Sequence, residues 1–153
     1  MKRIIAMLNV VIFVLFSVSC KKDFSSEDFL GDFILLYGGE GTVYSSQKLP
    51  FEEGYVSEEL LSKVYIYEGD FPKNYAIFLN QRSTSGFEVG VFLCEDEDER
   101  AAVSEMCLER LDLLCENEKG GLFIRSGNLV IYTTAEDKER AELIFDKIIR
   151  TYY

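Results

Sequence analysis

The sequence FEVGVFLCEDEDER, residues 87–100, decides the predicted fold. Apolar side chains alternate with other residues over 87–93, which is the period of a β-strand that buries one face. A helix start comes next, because Asp96 and Glu99 have the spacing of a capping box and the helix dipole favours acids there. The stretch therefore predicts a strand that leads into a helix over residues 96–115.

The segments around this stretch complete two similar units. Residues 75–79 predict the preceding strand, and Gly90 predicts a bulge or a close backbone contact in the strand that returns. Residues 122–125 and 129–133 predict a second hairpin, and Thr134 is expected to cap a final helix. The second half of the chain therefore has the predicted order ββα-ββα.

The two long predicted helices each carry one apolar stripe at helical spacing. The stripes consist of Val103, Cys107, Leu111 and Leu114 in the first, and of Ala141, Ile144, Phe145, Ile148, Ile149 and Tyr152 in the second. A sheet that is apolar on one face needs such stripes to cover it. We therefore predict an α+β fold, a two-layer sandwich with a mainly antiparallel four-stranded sheet covered by helices. The order of the strands cannot be derived from the pattern.

The segment before the first hairpin predicts two shorter helices and an irregular region. Ser25 or Ser26 can cap a helix that extends through residue 37, although residues 33–37 also suit a strand. Ser57 can cap a short helix that extends through residue 64. Residues 43–56 between them have no clear period and are expected to be irregular.

The beginning of the chain predicts export. Lys2 and Arg3 form a positive segment, and the apolar run after them, residues 4–16, is interrupted only by Asn9. A helix that spans a membrane needs about 20 apolar residues, so this run suits a signal peptide better than a permanent span. The run is compatible with a lipoprotein signal, with an ordinary cleaved signal peptide and with an uncleaved anchor.

The sequence FSVSC, residues 16–20, resembles the lipobox of a bacterial lipoprotein signal. The resemblance implies cleavage between Ser19 and Cys20 and attachment of a diacylglycerol to the Cys20 thiol. It divides the chain into a lipoprotein signal peptide at 1–19, a tether at 20–25 and a single α+β domain at 26–153. The implied location is the extracytoplasmic face of the cell membrane, with the lipid as anchor.

Composition excludes several classes of function. The chain has a net charge of −11, and removal of residues 1–19, which hold two basic and no acidic residues, takes it to −13. Such a surface repels the phosphates of nucleic acid, so we expect no nucleic-acid partner. The chain has no histidine, which removes the usual general base and the commonest metal ligand.

The remaining polar residues give no strong sign of catalysis. Cys94, Cys107 and Cys115 are predicted to be free, because two of them lie eight residues apart on one helix, about 12 Å, beyond disulfide reach. They also lack redox spacing. The acids at 95–99 lack the glycine and the ligand spacing of a calcium loop and suit a helix start instead. We therefore assign no catalytic residue, cofactor or metal.

Aromatic residues are the remaining candidates for function. Tyr44, Phe51, Tyr55, Tyr65, Tyr67 and Phe71 cluster in and around the irregular region. One interpretation is a lid that packs over the sheet. The other is a binding surface, because tyrosine gives a large contact area at a low cost in entropy.

From about Ser57 onward the chain resembles an uncharacterised family of small clostridial-type bacterial lipoproteins that contain a domain of unknown function. The resemblance rests on EELLSKVY at 58–65, FEVGVF at 87–92, ERAAV at 99–103 and GNLVIY at 127–132. It implies no activity and no catalytic residues. We predict a protein- or peptide-binding module of the cell envelope; the alternatives are an envelope enzyme that uses carboxylates and an accessory solute-binding domain.

Overall fold

A computed structural model describes residues 24–80, 87–115 and 121–152. The helices and strands of this part are α1 (Ser26–Tyr37), β1 (Gly41–Ser45), α2 (Glu58–Tyr65), β2 (Tyr75–Asn80), β3 (Glu88–Leu93), α3 (Glu97–Leu114), β4 (Leu122–Ser126), β5 (Leu129–Thr133) and α4 (Lys138–Tyr152). The predicted signal peptide, its cleavage site and Cys20 lie outside the described residues. Within the three described ranges, no helix has both the length and the hydropathy needed to cross a membrane.

The strands form one open antiparallel sheet in the order β1-β2-β3-β5-β4. The α+β class and the ββα-ββα order of the second half are confirmed, but the prediction of four strands was wrong. The fifth is β1, whose last three residues, 43–45, lie in the region expected to be irregular. It is only five residues long, and it pairs along one edge with β2, with Val43 opposite Phe78. A strand that is specified by its pairing has no distinctive residue pattern when it is so short.

Helices cover both faces of the sheet, so the predicted two-layer sandwich has a third layer. On one face, called the α1/α4 face, those two helices pack against Ala76, Phe78 and alternate residues of β3 and β5. On the other, called the α2/α3 face, the remaining helices pack against Ile77, Phe92 and those residues of the central strands that alternate with the residues of the first face. Central strands buried on both sides are apolar in succession, and alternation alone does not reveal this.

Polar side chains begin the first three helices at the expected places. Ser25 accepts a hydrogen bond from the Asp28 N–H at 3.1 Å, and α1 continues through the stretch that also suited a strand. Gly38 ends α1 with a φ of 89°, which glycine adopts without strain. The caps predicted for α2 at Ser57 and for α3 at Asp96 are confirmed.

The cap predicted for the last helix was wrong. Thr134 accepts a hydrogen bond from the Glu88 N–H at 2.9 Å and donates its own N–H to the Glu88 carbonyl at 3.0 Å. It therefore extends the pairing of β5 with β3. Asp137 takes the capping role instead, because its carboxylate accepts a hydrogen bond from the Arg140 N–H at 3.0 Å.

A candidate binding pocket on the α2/α3 face

An apolar pocket of about 190 Å³ opens on the α2/α3 face, between α2, the strands β1 to β3 and α3. Its lining residues are Tyr44, Val56, Leu60, Leu61, Val64, Tyr65, Ile77, Leu79, Glu88 and Arg110. Leu60 and Val64 are 53% and 39% exposed, so both side chains stand at its mouth. Apart from one charged pair, the pocket offers an apolar wall to whatever enters it.

Glu88 and Arg110 form that charged pair. Glu88 begins β3, points to the α2/α3 face and is only 4% exposed. Arg110 reaches it from α3 with two hydrogen bonds, from Nε to Oε1 at 3.0 Å and from Nη2 to Oε2 at 2.8 Å. This fork is the strong geometry for a guanidinium and a carboxylate. Arg110 also donates from Nη1 to the Val64 carbonyl at 3.4 Å, which ties α3 to α2.

Two tyrosines complete the network around Glu88. The hydroxyls of Tyr65 and Tyr132 are 2.5 Å apart, and both are within hydrogen-bonding reach of Glu88 Oε1. The ring of Tyr132 lies directly over Gly90, where a Cβ would stand 2.1 Å from Cε1. The close contact predicted at Gly90 is therefore present, with an aromatic ring as the partner. The strand pairing passes through Gly90 without a bulge.

Burial and neighbouring charges fix the protonation of these groups. Burial, together with the charge of Glu88, raises the pKa of Tyr65 well above its ordinary value of 10.0. Burial and the neighbouring Tyr65 and Glu88 do the same to the pKa of Tyr132. Burial alone would lower the pKa of Arg110, but the hydrogen bonds and charge of Glu88 outweigh it and raise that pKa. At neutral pH the guanidinium is thus charged and both tyrosines are neutral donors.

Carboxylates and thiols near the pocket are the groups that could take part in acid–base or nucleophilic chemistry. Among the described residues, Glu88 is the only acid that lines the pocket, so no pair of carboxylates meets there. Burial, followed by the charge of Glu99, raises the pKa of Cys94 to about 12, and burial raises that of Cys107 well above its ordinary value. Neither thiol forms the reactive thiolate at neutral pH. Cys115 is also free, so the prediction of three free thiols is confirmed.

Comparison with known proteins gives no relative from which a function could be transferred. Neither family models nor characterised proteins nor solved structures show significant similarity to the chain. The resemblance to small clostridial-type lipoproteins therefore stays a prediction. Function has to be inferred from the pocket and its surroundings.

The six aromatic residues proposed as a binding surface fall into two groups. Tyr65 and Phe71 are each 3% exposed, and their ring centroids are 5.8 Å apart in the core of the α2/α3 face. Tyr67, half-buried, packs on Phe71 at 5.9 Å. These three therefore pack as a lid over the sheet, although Tyr65 also forms part of the pocket wall.

The other three aromatic residues remain accessible. Tyr44, half-buried, lines the pocket, while Tyr55 is 41% exposed and Phe51 is fully exposed. Phe51 also has a φ of 79°, which is unusual for a bulky residue and costs backbone strain. Tyr44 and Tyr65 are thus the two members of the predicted set that reach the pocket itself.

The acidic run at 95–99 has structural partners. Asp96 caps α3, Glu99 accepts a hydrogen bond from the Glu95 N–H, and Glu97 pairs with Arg100 and Arg125. Across 24–80, 87–115 and 121–152, no group of three or more cysteines and acids is placed to hold a metal ion.

Sequence reasoning missed the two charged residues of the pocket. Glu88 occupies the strand face that a two-layer fold would leave in water, where a glutamate needs no explanation. Arg110 lies on α3 among Glu109 and Asp112, as an ordinary surface residue would. The only available signal was Phe92, an apolar residue on the same face of β3 as Glu88, which indicates that this face is also covered.

Proposed function

We propose that the protein is a membrane-anchored extracytoplasmic lipoprotein whose domain binds an envelope protein or peptide through the pocket on the α2/α3 face. The lipobox-like sequence at 16–20 supports the anchor. The observation that carries the binding role is an apolar pocket with exposed apolar side chains at its mouth, Leu60 and Val64. Such a patch on a protein surface is typical of an interaction site.

The size of the pocket favours a peptide over a free small molecule. Sites for drug-sized ligands have volumes of about 300–1,000 Å³. The volume here, about 190 Å³, suits one apolar side chain of a partner. Interfaces gain much of their binding energy from a few such anchors in pockets that exclude water.

The surroundings extend this apolar surface. Six of the eleven large apolar side chains that are exposed in the described chain lie within residues 49–66. They are Leu49, Phe51, Tyr55, Leu60, Val64 and Ile66. A partner whose anchor enters the pocket would therefore find further exposed apolar side chains in the chain segment that supplies much of the pocket wall.

The charged pair gives the pocket a fixed shape. Arg110 joins β3 to α2 through Glu88 and the Val64 carbonyl, and its charged carbon lies 5.4 Å from the centre of the Tyr65 ring. Because Glu88 accepts from both Arg110 and the tyrosines, its burial leaves no unpaired charge. A pocket whose walls are held in this way loses little entropy when a partner binds.

Photocrosslinking in the native envelope tests the binding role. A photoreactive amino acid at Leu60 should give a discrete crosslinked protein, and Val64→Asp in the same chain should abolish it by charging the pocket mouth. The matched control is the same photoreactive residue at Leu113, which is 52% exposed on α3 but does not line the pocket. Equal products from both positions, or from neither, would overturn the proposal.

The anchor has its own test. Cys20→Ala should abolish labelling with a radioactive fatty acid and release the protein from the membrane fraction, because the lipobox-like sequence then has no thiol to carry the diacylglycerol. A Cys115→Ala variant should keep both properties. Retention of Cys20→Ala in the membrane would contradict lipid anchoring.

A further inference from the structure

A second exposed apolar surface lies on the outside of the α1/α4 layer, away from the pocket. Leu35 and Leu143 are 81% and 72% exposed, and Leu36 is 40% exposed. The two shallow depressions that these leucines line share Lys147 and Thr151, so together they form one continuous surface across both helices. Arg150 borders the same surface with its ion-pair partner Asp146, at 3.8 Å, and Asp32 lines the depression beside Leu35.

The chain enters the domain on this layer. Phe24 packs on Phe29 of α1, with centroids 5.8 Å apart, and on Tyr152 of α4, with centroids 5.1 Å apart. Tyr152 in turn donates a hydrogen bond to Asp32 at 2.6 Å, which fixes the end of α4 against α1. Phe24 is four residues after Cys20, and four extended residues span at most about 14 Å.

We propose that the outer surface of α1 and α4 lies against the phospholipid interface of the membrane that holds Cys20. This inference rests on the proposed lipid anchor, because the anchor brings Phe24 close to the bilayer. Leu35, Leu36 and Leu143 enter the boundary between headgroups and acyl chains, and Lys147 and Arg150 extend to the phosphates. A weak contact is enough, because the tether keeps the surface at a high effective concentration near the lipid.

The charge at the end of the domain argues against the alternative, in which the domain stands on the end nearest Phe24. That end carries Glu27 and Asp28 of α1. The acids of 95–99 lie at the same end. The carbonyl oxygen of Asn74 accepts hydrogen bonds from Ser26 at the start of α1 and from the end of β3, and the acids follow directly after β3. Phosphates repel this acidic end, whereas on the side of the helical layer Lys147 and Arg150 balance Asp32 and Asp146 beside the exposed leucines.

This orientation has a consequence for the pocket. The sheet separates the α1/α4 face from the α2/α3 face, so contact of the former with lipid turns the pocket away from the membrane. The mouth at Leu60 and Val64 is then open to proteins of the envelope. The two surfaces serve different partners, one the bilayer and the other a peptide.

The absence of tryptophan from the sequence gives a direct test. Leu143→Trp and, as a matched control, Leu113→Trp each introduce a single reporter at an exposed leucine on opposite layers. The full chain is produced in a bacterium that processes lipoproteins, and the lipidated protein is reconstituted into phosphatidylcholine vesicles with or without bromines on the upper acyl carbons. Flotation with the vesicles verifies the anchor, and quenching of tryptophan emission reports contact with acyl chains.

We expect the reporter at 143 to lose about half of its emission in brominated vesicles, since an interfacial face is buried about 5–10 Å. The reporter at 113 should lose almost none. A Leu35→Trp variant should behave like the one at 143. Protein that floats but shows equal quenching at 143 and 113, or none at either, would overturn the orientation and leave the anchor intact. Protein that never floats would overturn both.

Discussion

The two faces of the sheet are stabilised in different ways. The buried cluster on the α1/α4 face consists of apolar side chains, with Phe33 stacked on Phe145 at 4.1 Å. The buried cluster on the α2/α3 face surrounds a carboxylate, a guanidinium and two tyrosine hydroxyls. Apolar packing supplies stability, whereas a buried ion pair contributes little net stability and imposes a unique geometry. We infer that the α1/α4 face holds the domain together and that the α2/α3 face holds the pocket in shape.

The largest expected effect comes from the apolar face. Phe145→Ala should lower the free energy of unfolding by about 3–5 kcal/mol, because it removes a fully buried ring and leaves a cavity. Urea unfolding followed by circular dichroism measures it. Leu143→Ala, an exposed position on the same helix, should change stability by less than about 0.5 kcal/mol. Equal effects at 143 and 145 would contradict the assignment of this core.

The next effect concerns the ion pair. Glu88→Gln keeps the shape of the side chain but leaves Arg110 charged and half-buried without its partner, and should cost about 3 kcal/mol. The double variant Glu88→Leu with Arg110→Met should regain most of that loss, since neither charge is then buried. Chemical denaturation of the wild type, Glu88→Gln and the double variant measures these differences in the free energy of unfolding. A double variant no more stable than Glu88→Gln would show that the pair itself stabilises the fold.

Two glycine substitutions, one on each side of the sheet, should change the stability of the fold in opposite directions. Gly90→Ala should destabilise by about 1–3 kcal/mol, because its methyl group would overlap the Tyr132 ring. Gly31→Ala lies in α1, where a Cβ meets nothing within 4 Å, and should stabilise by about 1 kcal/mol through helix propensity. Thermal melting distinguishes them. A stabilising Gly90→Ala would contradict the close packing of Tyr132 on β3.

The smallest expected effect is the response of the α2/α3 face to alkali. The pKa of Tyr65 is raised above 10.0 in the folded protein, so its contribution to stability is complete below pH 10 and is lost as the pH rises further. Tyr65→Phe should therefore lose about 1 kcal/mol less stability than the wild type between pH 10 and 11. Phe145→Ala, which changes no titrating group, should keep the wild-type dependence. If the free energy of unfolding depended on pH identically in Tyr65→Phe and the wild type, Tyr65 would ionise with the same pKa in the folded and the unfolded protein, which would contradict the prediction.

Local signals explain which elements could be predicted. The helix starts at Ser25, Ser57 and Asp96 depend on a side chain and an N–H a few residues away. The central strands are indicated by runs of β-formers between turn residues. Where a boundary depended on distant pairing, prediction failed: Thr134 belongs to the sheet because Glu88 of β3 pairs with it. On α3, Met106 is buried although it lies outside the predicted apolar stripe, while Leu108 is 46% exposed.

The candidate site could be predicted only in part. The cluster of aromatic residues pointed to the side of the domain on which the pocket lies, and two of its members, Tyr44 and Tyr65, line the pocket. Phe71 and Tyr67 could not be separated from them, because burial depends on what packs above the sheet. Glu88 and Arg110, 22 residues apart, resemble surface residues until β3 and α3 are placed together.

The sequence by itself determined the elements of the second half, their order and the caps of the first three helices, because each depends on residues within one or two turns of each other. It also excluded histidine chemistry and established a strongly acidic surface. Only the tertiary structure decided that β1 joins the sheet, that helices cover both faces and that Glu88 is buried. These features depend on contacts between distant segments, and hydrophobic burial specifies how much surface is hidden without specifying which segments hide it.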